Sequence, residues 1–215
     1  MIKNIINKIY NSKKEIHRVD NLEINNKFKD YVTFFEKEDD DTTWEYGIFS
    51  KLISEFIPKR DNLNIIEIGI ARGGNVNDTF EKLGNRITSY IGVDPYTSGY
   101  DESDIFSQKS QIELDYCYSY VLNKINDDRF KLYRSSSEVV APLIPNNSID
   151  AIYIDGDHTY EGVLRDITLW RDKIKRDGII VGDDYPLFSG VKKAVNESFD
   201  NFQLEENCWF YFNSH

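Results

Sequence analysis

The sequence predicts an α/β fold in which a mostly parallel sheet carries helices on both faces. Short apolar runs alternate with segments that place apolar residues at helical spacing, and this alternation is typical of a series of βαβ units. Two of the apolar runs end in acidic residues, and an earlier one ends in a glycine-containing turn. Right-handed connections bring such strand ends to one edge of the sheet, where open α/β sheets bind ligands. We therefore expect the functional site at that edge.

Composition excludes several classes of protein. The chain has 215 residues with 14 Tyr and 13 Phe, enough for one folded domain with a sizeable core. The net charge of −11 argues against a general affinity for nucleic acid or for anionic membranes. Cys117 and Cys208 have no ligand-like spacing, so we expect free thiols in a reducing cytoplasm. No long apolar run predicts a membrane span, and the first residues are too polar for a signal peptide.

The chain is predicted to have an N-terminal helical extension over residues 1–41 and one main domain over residues 42–215. Apolar residues at helical spacing between Ile2 and Ile9 indicate an amphipathic packing helix. This segment is also a candidate surface for pairing two copies of the chain. The acidic run 36–41 is typical of a solvated turn.

The main domain is expected to begin with a helix over 44–56, capped by Thr42 or Thr43 and ended before Pro58. Short apolar runs then predict strands over 64–68, 89–93, 130–133, 149–154 and 179–182. The segments that follow them carry apolar residues three or four positions apart and predict helices over 73–83, 110–125, 136–141, 159–175 and 190–199. Two last apolar runs predict a hairpin over 202–204 and 209–212. The loop 94–107 is longer than most connections and is either a lid over the site or a surface loop.

The first predicted strand ends in the pattern E-x-G-x-x-x-G, from Glu67 through Gly69 to Gly73. Glycines let the backbone turn tightly after a strand and approach a ligand closely. The dinucleotide fingerprint G-x-G-x-x-G is incomplete here, which disfavours NAD and a nucleotide-dependent oxidoreductase. Asp94 ends the next strand, where a carboxylate can accept both hydroxyl groups of a ribose. Together the two features indicate a nucleoside site.

The fourth and fifth predicted strands deliver acidic side chains to the same edge. Asp155, Asp157 and His158 follow the fourth strand, and Asp183 with Asp184 follows the fifth. Oxygen ligands suit Mg²⁺ or Ca²⁺, whereas zinc prefers nitrogen and sulfur. Each of these residues taken alone has an ordinary interpretation as a helix cap, a turn or a surface residue. Together they predict a divalent-metal site that also holds a substrate hydroxyl.

These motifs resemble those of class I S-adenosylmethionine-dependent methyltransferases. The pattern from Glu67 to Gly73 with Asp94 carries the general resemblance, and the stretches Asp155-Gly156-Asp157-His158 and Gly182-Asp183-Asp184-Tyr185 narrow it. The narrower family is that of the metal-dependent O-methyltransferases of the macrocin and mycinamicin type, which act on sugars of macrolides. Catechol and caffeoyl-CoA O-methyltransferases are more distantly similar. The resemblance runs from about Thr42 to Phe199, and it implies a Rossmann-like, seven-stranded sheet in the order 3-2-1-4-5-7-6 with strand 7 antiparallel.

The resemblance also implies roles for the motif residues. S-adenosylmethionine would be the methyl donor, and Mg²⁺ or another hard divalent cation would be the metal. His158 would be the catalytic base, and Asp157 would orient His158 or act as the base itself. The implied metal ligands are Asp155, Asp183 and Asp184. The implied cofactor-binding residues are Glu67, Gly69 and Gly73 near the methionine end, Asp94 at the ribose, Ser135 and Ser136 at the adenine, Thr43 and Tyr46 near the cofactor carboxylate, and Asp155. Family members often carry Gly-Asp where this chain has Arg134-Ser135.

The residues and the resemblance together predict a cytoplasmic O-methyltransferase whose metal and base activate a hydroxyl of a sugar or glycan-type substrate. A small catechol-like diol is the alternative substrate class. A non-catalytic nucleoside-binding module is the alternative from another class of protein, and the intact set of acidic residues argues against it. Neither a nucleic acid nor a membrane is expected as a partner.

Overall fold

The structure, a computed structural model, describes residues 46–214. The predictions for the N-terminal extension, for its boundary with the main domain and for Thr43 lie outside the described residues. The helices are α1 (Ile48–Phe56), α2 (Gly74–Leu83), α3 (Gln111–Lys124), α4 (Ser137–Val140), α5 (Tyr160–Trp170) and α6 (Ser189–Ser198). The strands are β1 (Leu63–Ile68), β2 (Ile87–Val93), β3 (Phe130–Tyr133), β4 (Ile149–Ile154), β5 (Ile174–Gly182), β6 (Gln203–Glu205) and β7 (Cys208–Phe212).

The strands form one sheet in the order β3-β2-β1-β4-β5-β7-β6, which confirms the predicted order. The five strands from β3 to β5 run parallel, and β7 pairs antiparallel with both β5 and β6. Ile68 lies beside Val93 on one side and beside Ile154 on the other, and Ile154 lies beside Gly182. The residues that follow these four strand ends therefore meet at one edge of the sheet.

The sheet separates two apolar cores because the side chains of a strand alternate between its faces. On one face, Ile65 belongs to a core that includes Phe49 of α1. On the other face, Ile66 and Ile152 belong to a core that includes Trp170 of α5. All residues of β4 are buried, as expected for a parallel strand covered on both sides. The strand that precedes the acidic motif is thus held rigidly at the centre of the fold.

The helix predicted over 159–175 was too long. α5 ends at Trp170, and Ile174 is the first residue of β5. Ile174 fits the helical pattern because it lies four residues after Trp170, but in the structure it pairs with β4. Lys175 then reaches the fully buried carboxylate of Asp150, with Nζ 2.7 Å from Oδ2. Strand pairing and this ion pair override the local helical pattern, which is a weak determinant by comparison.

The other predicted helices and strands within residues 46–214 are confirmed with small shifts at their ends, except that β5 begins five residues before the start predicted for it at Ile179. Across the same residues, each helix is either too short or too polar to cross a bilayer.

Candidate active site

The turn after β1 brings the backbone of β1 against that of β4. Gly69 has φ 82° and Gly73 has φ 72°, in the left-handed region that favours glycine. A Cβ atom on Gly69 would lie 1.7 Å from the carbonyl oxygen of Asp155. The close approach of two strand ends therefore requires glycine at position 69, and it places Asp155 directly beside the predicted cofactor turn.

Asp94 ties this turn to the end of β2. Its Oδ2 atom accepts hydrogen bonds from the backbone N–H groups of Ile70 (2.9 Å) and Ala71 (3.1 Å), and its Oδ1 atom accepts one from Tyr96 (2.7 Å). Burial raises the pKa of the Asp94 carboxyl, and the three N–H groups oppose that shift. A carboxylate oxygen accepts about two hydrogen bonds, so Oδ1 keeps capacity for a ligand hydroxyl. This capacity fits the predicted contact with a ribose.

The residues predicted to contact adenine lie beside Asp94. The backbone N–H of Ser135 donates to the carbonyl oxygen of Asp94 at 3.1 Å, and Ser136 is the residue before α4. Arg134 forms an ion pair with Asp115 of α3. The turn after β3 is therefore anchored at the predicted edge even though Arg-Ser stands there in place of Gly-Asp. Its contact with adenine stays a prediction.

Tyr46 lies against the start of α2. A Cβ atom on Gly74 would lie 2.1 Å from Cζ of the tyrosine ring, and the side chain is 50% exposed. The ring thus covers the start of α2, which follows the turn after β1. This location is compatible with the predicted role near the cofactor carboxylate, which stays a prediction.

Glu67 is a buried acid on β1 beside the same turn. Its side chain is 2% exposed, and the hydroxyl of Tyr90 donates a close hydrogen bond to its Oε2 atom. Burial raises the pKa of Glu67 to about 8, and hydrogen bonds from Tyr90 and Asn75 offset only part of the rise. A positively charged ligand group nearby would favour the ionised form of Glu67. The site is therefore suited to a cationic group, such as the amino group at the methionine end of the cofactor.

Glu67→Gln is expected to change how the stability of the cofactor-free protein depends on pH. The pKa of Glu67 is raised on folding, so its contribution to stability is complete below about pH 4.5 and is lost as the pH rises to about 8. Glu67→Gln lacks this pH-dependent loss of stability. The difference between the two free energies of unfolding should change by up to about 1.4 kcal/mol per pH unit over that interval.

Urea unfolding at several pH values measures this difference. Glu81→Gln, at an exposed position on α2, is the matched control and should give a curve parallel to that of the wild-type protein. A parallel curve for Glu67→Gln as well would show that folding does not perturb Glu67.

A second group of side chains meets at the ends of β4 and β5. One potential ligand atom from each of Asp155, His158 and Asp184 lies within 4.8 Å of the other two. Nε2 of His158 is 3.1 Å from Oδ2 of Asp184 and 3.5 Å from Oδ1 of Asp155. Asp184 has φ 63°, which is uncommon for a residue other than glycine and frequent at functional sites. We call these three residues the acid–histidine cluster.

The charges of the acid–histidine cluster shift the pKa values of its members. Burial alone would lower the pKa of His158, but Asp155, Asp184 and Asp104 outweigh burial and raise it to about 9. Burial and then the carboxylate of Asp155 raise the pKa of Asp184 to about 7. Both shifts favour the protonated form, so the cluster stabilises added positive charge.

Asp183 follows β5, and both of its carboxylate oxygens accept hydrogen bonds. Its Oδ2 atom accepts from the hydroxyl of Tyr153 at 3.0 Å. Its Oδ1 atom accepts from the backbone N–H of Asp184 at 2.8 Å and from the thiol of Cys208 at 3.5 Å. In this arrangement Asp183 fixes the backbone of Asp184. Its role as a metal ligand stays a prediction.

Asp157 supports the start of α5. Its Oδ1 atom accepts from the backbone N–H of Thr159 at 2.9 Å, and its Oδ2 atom lies 3.5 Å from Nη2 of Arg165. A Cβ atom on Gly162 would lie 2.2 Å from this carboxylate, so the side chain is packed against the helix. These contacts favour His158 over Asp157 as the base, although both roles stay predictions.

Asp104 and Phe188 adjoin His158 and were not predicted from the sequence. Oδ2 of Asp104 lies 3.5 Å from Nδ1 of His158, and the ring of Phe188 stacks on the imidazole at a centroid distance of 4.5 Å. Asp104 lies in the loop 94–107, where no strand end or spacing distinguishes it from other polar residues. Phe188 precedes α6 and has the pattern of an ordinary core residue. The unusual length of the loop was the one signal that pointed to this region.

The side chains of the acid–histidine cluster fit a divalent cation. Asp155 and Asp184 supply carboxylate oxygens, the ligands that Mg²⁺ prefers, and the remaining positions around Mg²⁺ are usually filled by water. With the imidazole of His158 as a third ligand, the set would also suit a transition metal. The raised pKa values of His158 and Asp184 agree with this fit. Both result in part from neighbouring carboxylates, and a bound cation would offset that negative charge as a proton does.

Comparison with known proteins identifies the region that contains both sites. A family model described as a methyltransferase domain matches residues 66–185, more than half of the chain. The matched segment begins just before the glycine turn and ends just after Asp184. It therefore includes Glu67, Gly69, Gly73, Asp94 and the acid–histidine cluster.

Individual relatives are distant. Protein R132 of Acanthamoeba polyphaga mimivirus, named as uncharacterized, is 29% identical over 163 residues, which cover 74% of this chain and 68% of that protein. Among solved structures, the O-methyltransferase NovP has a TM-score of 0.61 at 14% identity, with 78% of each chain covered. An S-adenosylmethionine-dependent methyltransferase from Aquifex aeolicus has a TM-score of 0.54 at 14% identity, covering 83% of this chain and 95% of that one. At such identities the structural matches establish a shared fold.

Proposed function

The chain belongs to the methyltransferase-domain family, with the fold of class I S-adenosylmethionine-dependent enzymes, and from this premise we propose that it methylates a hydroxyl of a sugar or glycan-type acceptor with the help of a divalent cation. The position of His158 carries the proposal. Its Nε2 atom lies 3.1 Å from Asp184 and 3.5 Å from Asp155, at the edge of the sheet that also carries the cofactor turn.

The two bound groups would supply complementary chemistry. S-adenosylmethionine, when bound, supplies a methyl group on a positively charged sulfur, and a divalent cation, when bound, makes a nearby hydroxyl easier to deprotonate. Glu67, Asp94 and the glycine turn would hold the methyl donor. Asp155 and Asp184 would hold the cation. Much of the rate gain would come from holding the two reactants in line.

His158 is the proposed base, and its neighbours determine when it can act as one. A pKa of about 9 keeps the imidazole protonated at neutral pH in the metal-free protein. Positive charge held between Asp155 and Asp184 would offset the carboxylates that raise this pKa. The pKa would then move towards the neutral range, where a general base is most effective. The same two carboxylates would thus bind the cation and prepare His158.

Support for a hydroxyl-rich acceptor comes from the surroundings of His158. The carboxylates of Asp155 and Asp184 can accept hydrogen bonds from hydroxyl groups. NovP, which shares the fold, is described as an O-methyltransferase. The sugar-modifying enzymes that the sequence resembles carry histidine at the position of His158, whereas the catechol-type enzymes carry lysine there. A sugar hydroxyl is therefore preferred over a catechol-like diol.

Methyl transfer from radiolabelled S-adenosylmethionine to a panel of acceptors tests the proposal. The panel contains nucleotide-linked sugars, free sugars, glycans and catechols, each assayed with Mg²⁺ and with EDTA. We expect transfer to a sugar hydroxyl that is at least about tenfold faster with Mg²⁺. Transfer to catechols alone would support the diol alternative, and transfer that is equal in EDTA would exclude the metal. Cofactor binding without transfer to any acceptor would indicate a non-catalytic module.

Asp184→Asn is expected to weaken Mg²⁺ binding by at least about tenfold, because it removes one of the two carboxylates that face each other across the acid–histidine cluster. Calorimetric titration with MgCl₂ measures the affinity without any turnover. Asp157→Asn is the matched control, since that carboxylate is engaged by Thr159 and Arg165. Equal weakening in Asp157→Asn and Asp184→Asn would contradict a specific site.

The same titration tests whether His158 and Asp183 are metal ligands. We expect His158→Gln to bind Mg²⁺ nearly as well as the wild-type protein, because a base need not be a ligand. A loss as large as that of Asp184→Asn would make His158 a ligand instead. Asp183→Asn retains an oxygen that can accept from the backbone N–H of Asp184, so a large loss there would identify Asp183 as a direct ligand.

A further inference from the structure

The loop between β2 and α3 is an ordered structure held by its own hydrogen bonds. The backbone N–H of Gly99 donates to the carbonyl oxygen of Ser107 at 2.8 Å, and the backbone N–H of Asp101 donates to the Ser107 hydroxyl at 2.8 Å. Ser107 itself is 2% exposed. These bonds close the segment 99–107 on itself. Whether this loop is a lid over the site or a surface loop stays a prediction.

This closed loop holds one carboxylate in the interior. Asp104 is 6% exposed. Its Oδ1 atom accepts from the backbone N–H of Phe106 at 2.6 Å, and its Oδ2 atom accepts from the hydroxyl of Tyr100 at 3.0 Å. Burying a carboxylate is unfavourable unless its oxygens have partners. The loop supplies those partners, and the oxygen that receives the Tyr100 hydroxyl is also the one that faces His158.

The imidazole of His158 is therefore contacted on three sides. Nδ1 faces Oδ2 of Asp104 at 3.5 Å, Nε2 faces Asp184 at 3.1 Å, and the ring lies on Phe188 with an interplanar angle of 26°. Within residues 46–214, neither ring nitrogen makes a hydrogen bond of ordinary geometry, although both are buried. A buried nitrogen without a partner is unfavourable. Nδ1 is the ring nitrogen that lies near Asp104, so a hydrogen bond to that carboxylate would give the nitrogen a partner.

We propose that Asp104 is a positioning residue for His158: its carboxylate accepts the Nδ1–H of the imidazole and so directs Nε2 towards Asp155 and Asp184. A histidine whose Nδ1–H is held by a carboxylate has its ring orientation and tautomer fixed. The loop 99–107 would thereby set the geometry of the base. This inference rests on the proposed role of His158, and Asp104 itself does not touch the reacting groups.

Long-range ¹H–¹⁵N NMR of the histidine rings tests the contact directly and needs neither an acceptor nor turnover. The chain has three histidines, so the ring signals of His158 can be assigned by comparison with His158→Gln. We expect a protected Nδ1–H of His158 in the wild-type protein, its loss in Asp104→Ala, and its retention in Asp104→Asn, which keeps an oxygen acceptor. Asp101→Asn is the matched control in the same loop, because Asp101 accepts from Ser103.

An Nδ1–H signal that persists in Asp104→Ala, or that is lost equally in Asp101→Asn, would overturn the proposal. Should Asp104→Ala fail to fold, as judged by circular dichroism, Tyr100→Phe replaces it. That variant removes only the hydroxyl that fixes Oδ2 of Asp104, and faster exchange of the Nδ1–H is then the expected result and an unchanged rate the contrary one.

A kinetic measurement extends the test once an acceptor has been identified. Asp104→Ala should lower kcat by about 10–100-fold, the usual effect of removing a residue that orients a functional histidine, with little change in the KM for the acceptor. A change confined to KM would indicate that Asp104 contacts the acceptor and does not position His158. Because the NMR result is independent of activity, failure of the proposed function and failure of this inference are distinguishable.

Discussion

Replacing His158 with alanine is expected to lower kcat for methyl transfer by about 10²–10⁴-fold, the usual contribution of a general base. The imidazole faces Asp155 and Asp184 through Nε2, where the acceptor hydroxyl would be held. The affinity for S-adenosylhomocysteine should change by less than about threefold, because uniform binding and the chemical step are separable. Initial rates at saturating methyl donor and calorimetric titration with S-adenosylhomocysteine measure the two quantities independently.

Comparison with Asp157→Asn shows whether His158 or Asp157 is the base. The Asp157 carboxylate accepts from the backbone N–H of Thr159 and lies near Arg165, so its loss should weaken the start of α5 and reduce kcat by less than about tenfold. A full rate in His158→Ala together with a large loss in Asp157→Asn would reverse the assignment and make Asp157 the base. Large losses in both would indicate that the two side chains act together.

The location of the site residues that follow strand ends was predictable from the sequence. Asp94, Asp155 and Asp184 each follow an apolar run, and the connections of a parallel sheet bring such positions to one edge. The spacing of Gly69 and Gly73 after the first strand also has a local physical meaning, because both positions adopt positive φ. Local pattern and topology agree at these positions, so the sequence was sufficient to predict them.

The remaining details depend on contacts between segments that are distant in sequence. Asp104 faces His158 only because the loop 99–107 closes on itself through Ser107, and no periodic pattern encodes that closure. Asp183 accepts from Tyr153 of β4 and from Cys208, the first residue of β7, which pairs with β5. The acidic pair alone does not indicate these contacts. The end of α5 was misplaced because Ile174 satisfies the helical spacing as well as the strand pairing. Side-chain direction and helix ends therefore needed the structure.

Gly69→Ala is expected to abolish cofactor binding and to destabilise the protein by more than about 4 kcal/mol, a range reached when buried packing is severely disrupted. The new Cβ atom would lie 1.7 Å from the carbonyl oxygen of Asp155 and 2.9 Å from Cα of Gly156. These are backbone atoms of a fully packed strand end, so no rotamer change relieves the clash. The ends of β1 and β4 would have to separate, which would break the hydrogen bond from Asp155 N–H to the carbonyl oxygen of Ile68, 2.8 Å long.

Gly99→Ala is a matched control for the backbone conformation. Gly69 has φ 82° and Gly99 has φ 80°, but a Cβ atom on Gly99 would meet nothing within 4 Å. Both variants are therefore destabilised by about 1–2 kcal/mol, because a side chain is strained in the left-handed region. Only Gly69→Ala adds the clash with the residues that follow β4. Urea unfolding and titration with S-adenosylhomocysteine compare the two. Equal losses of stability would mean that backbone strain alone explains the glycine, whereas a much larger loss at position 69 would show that the contact between β1 and β4 holds the two halves of the site together.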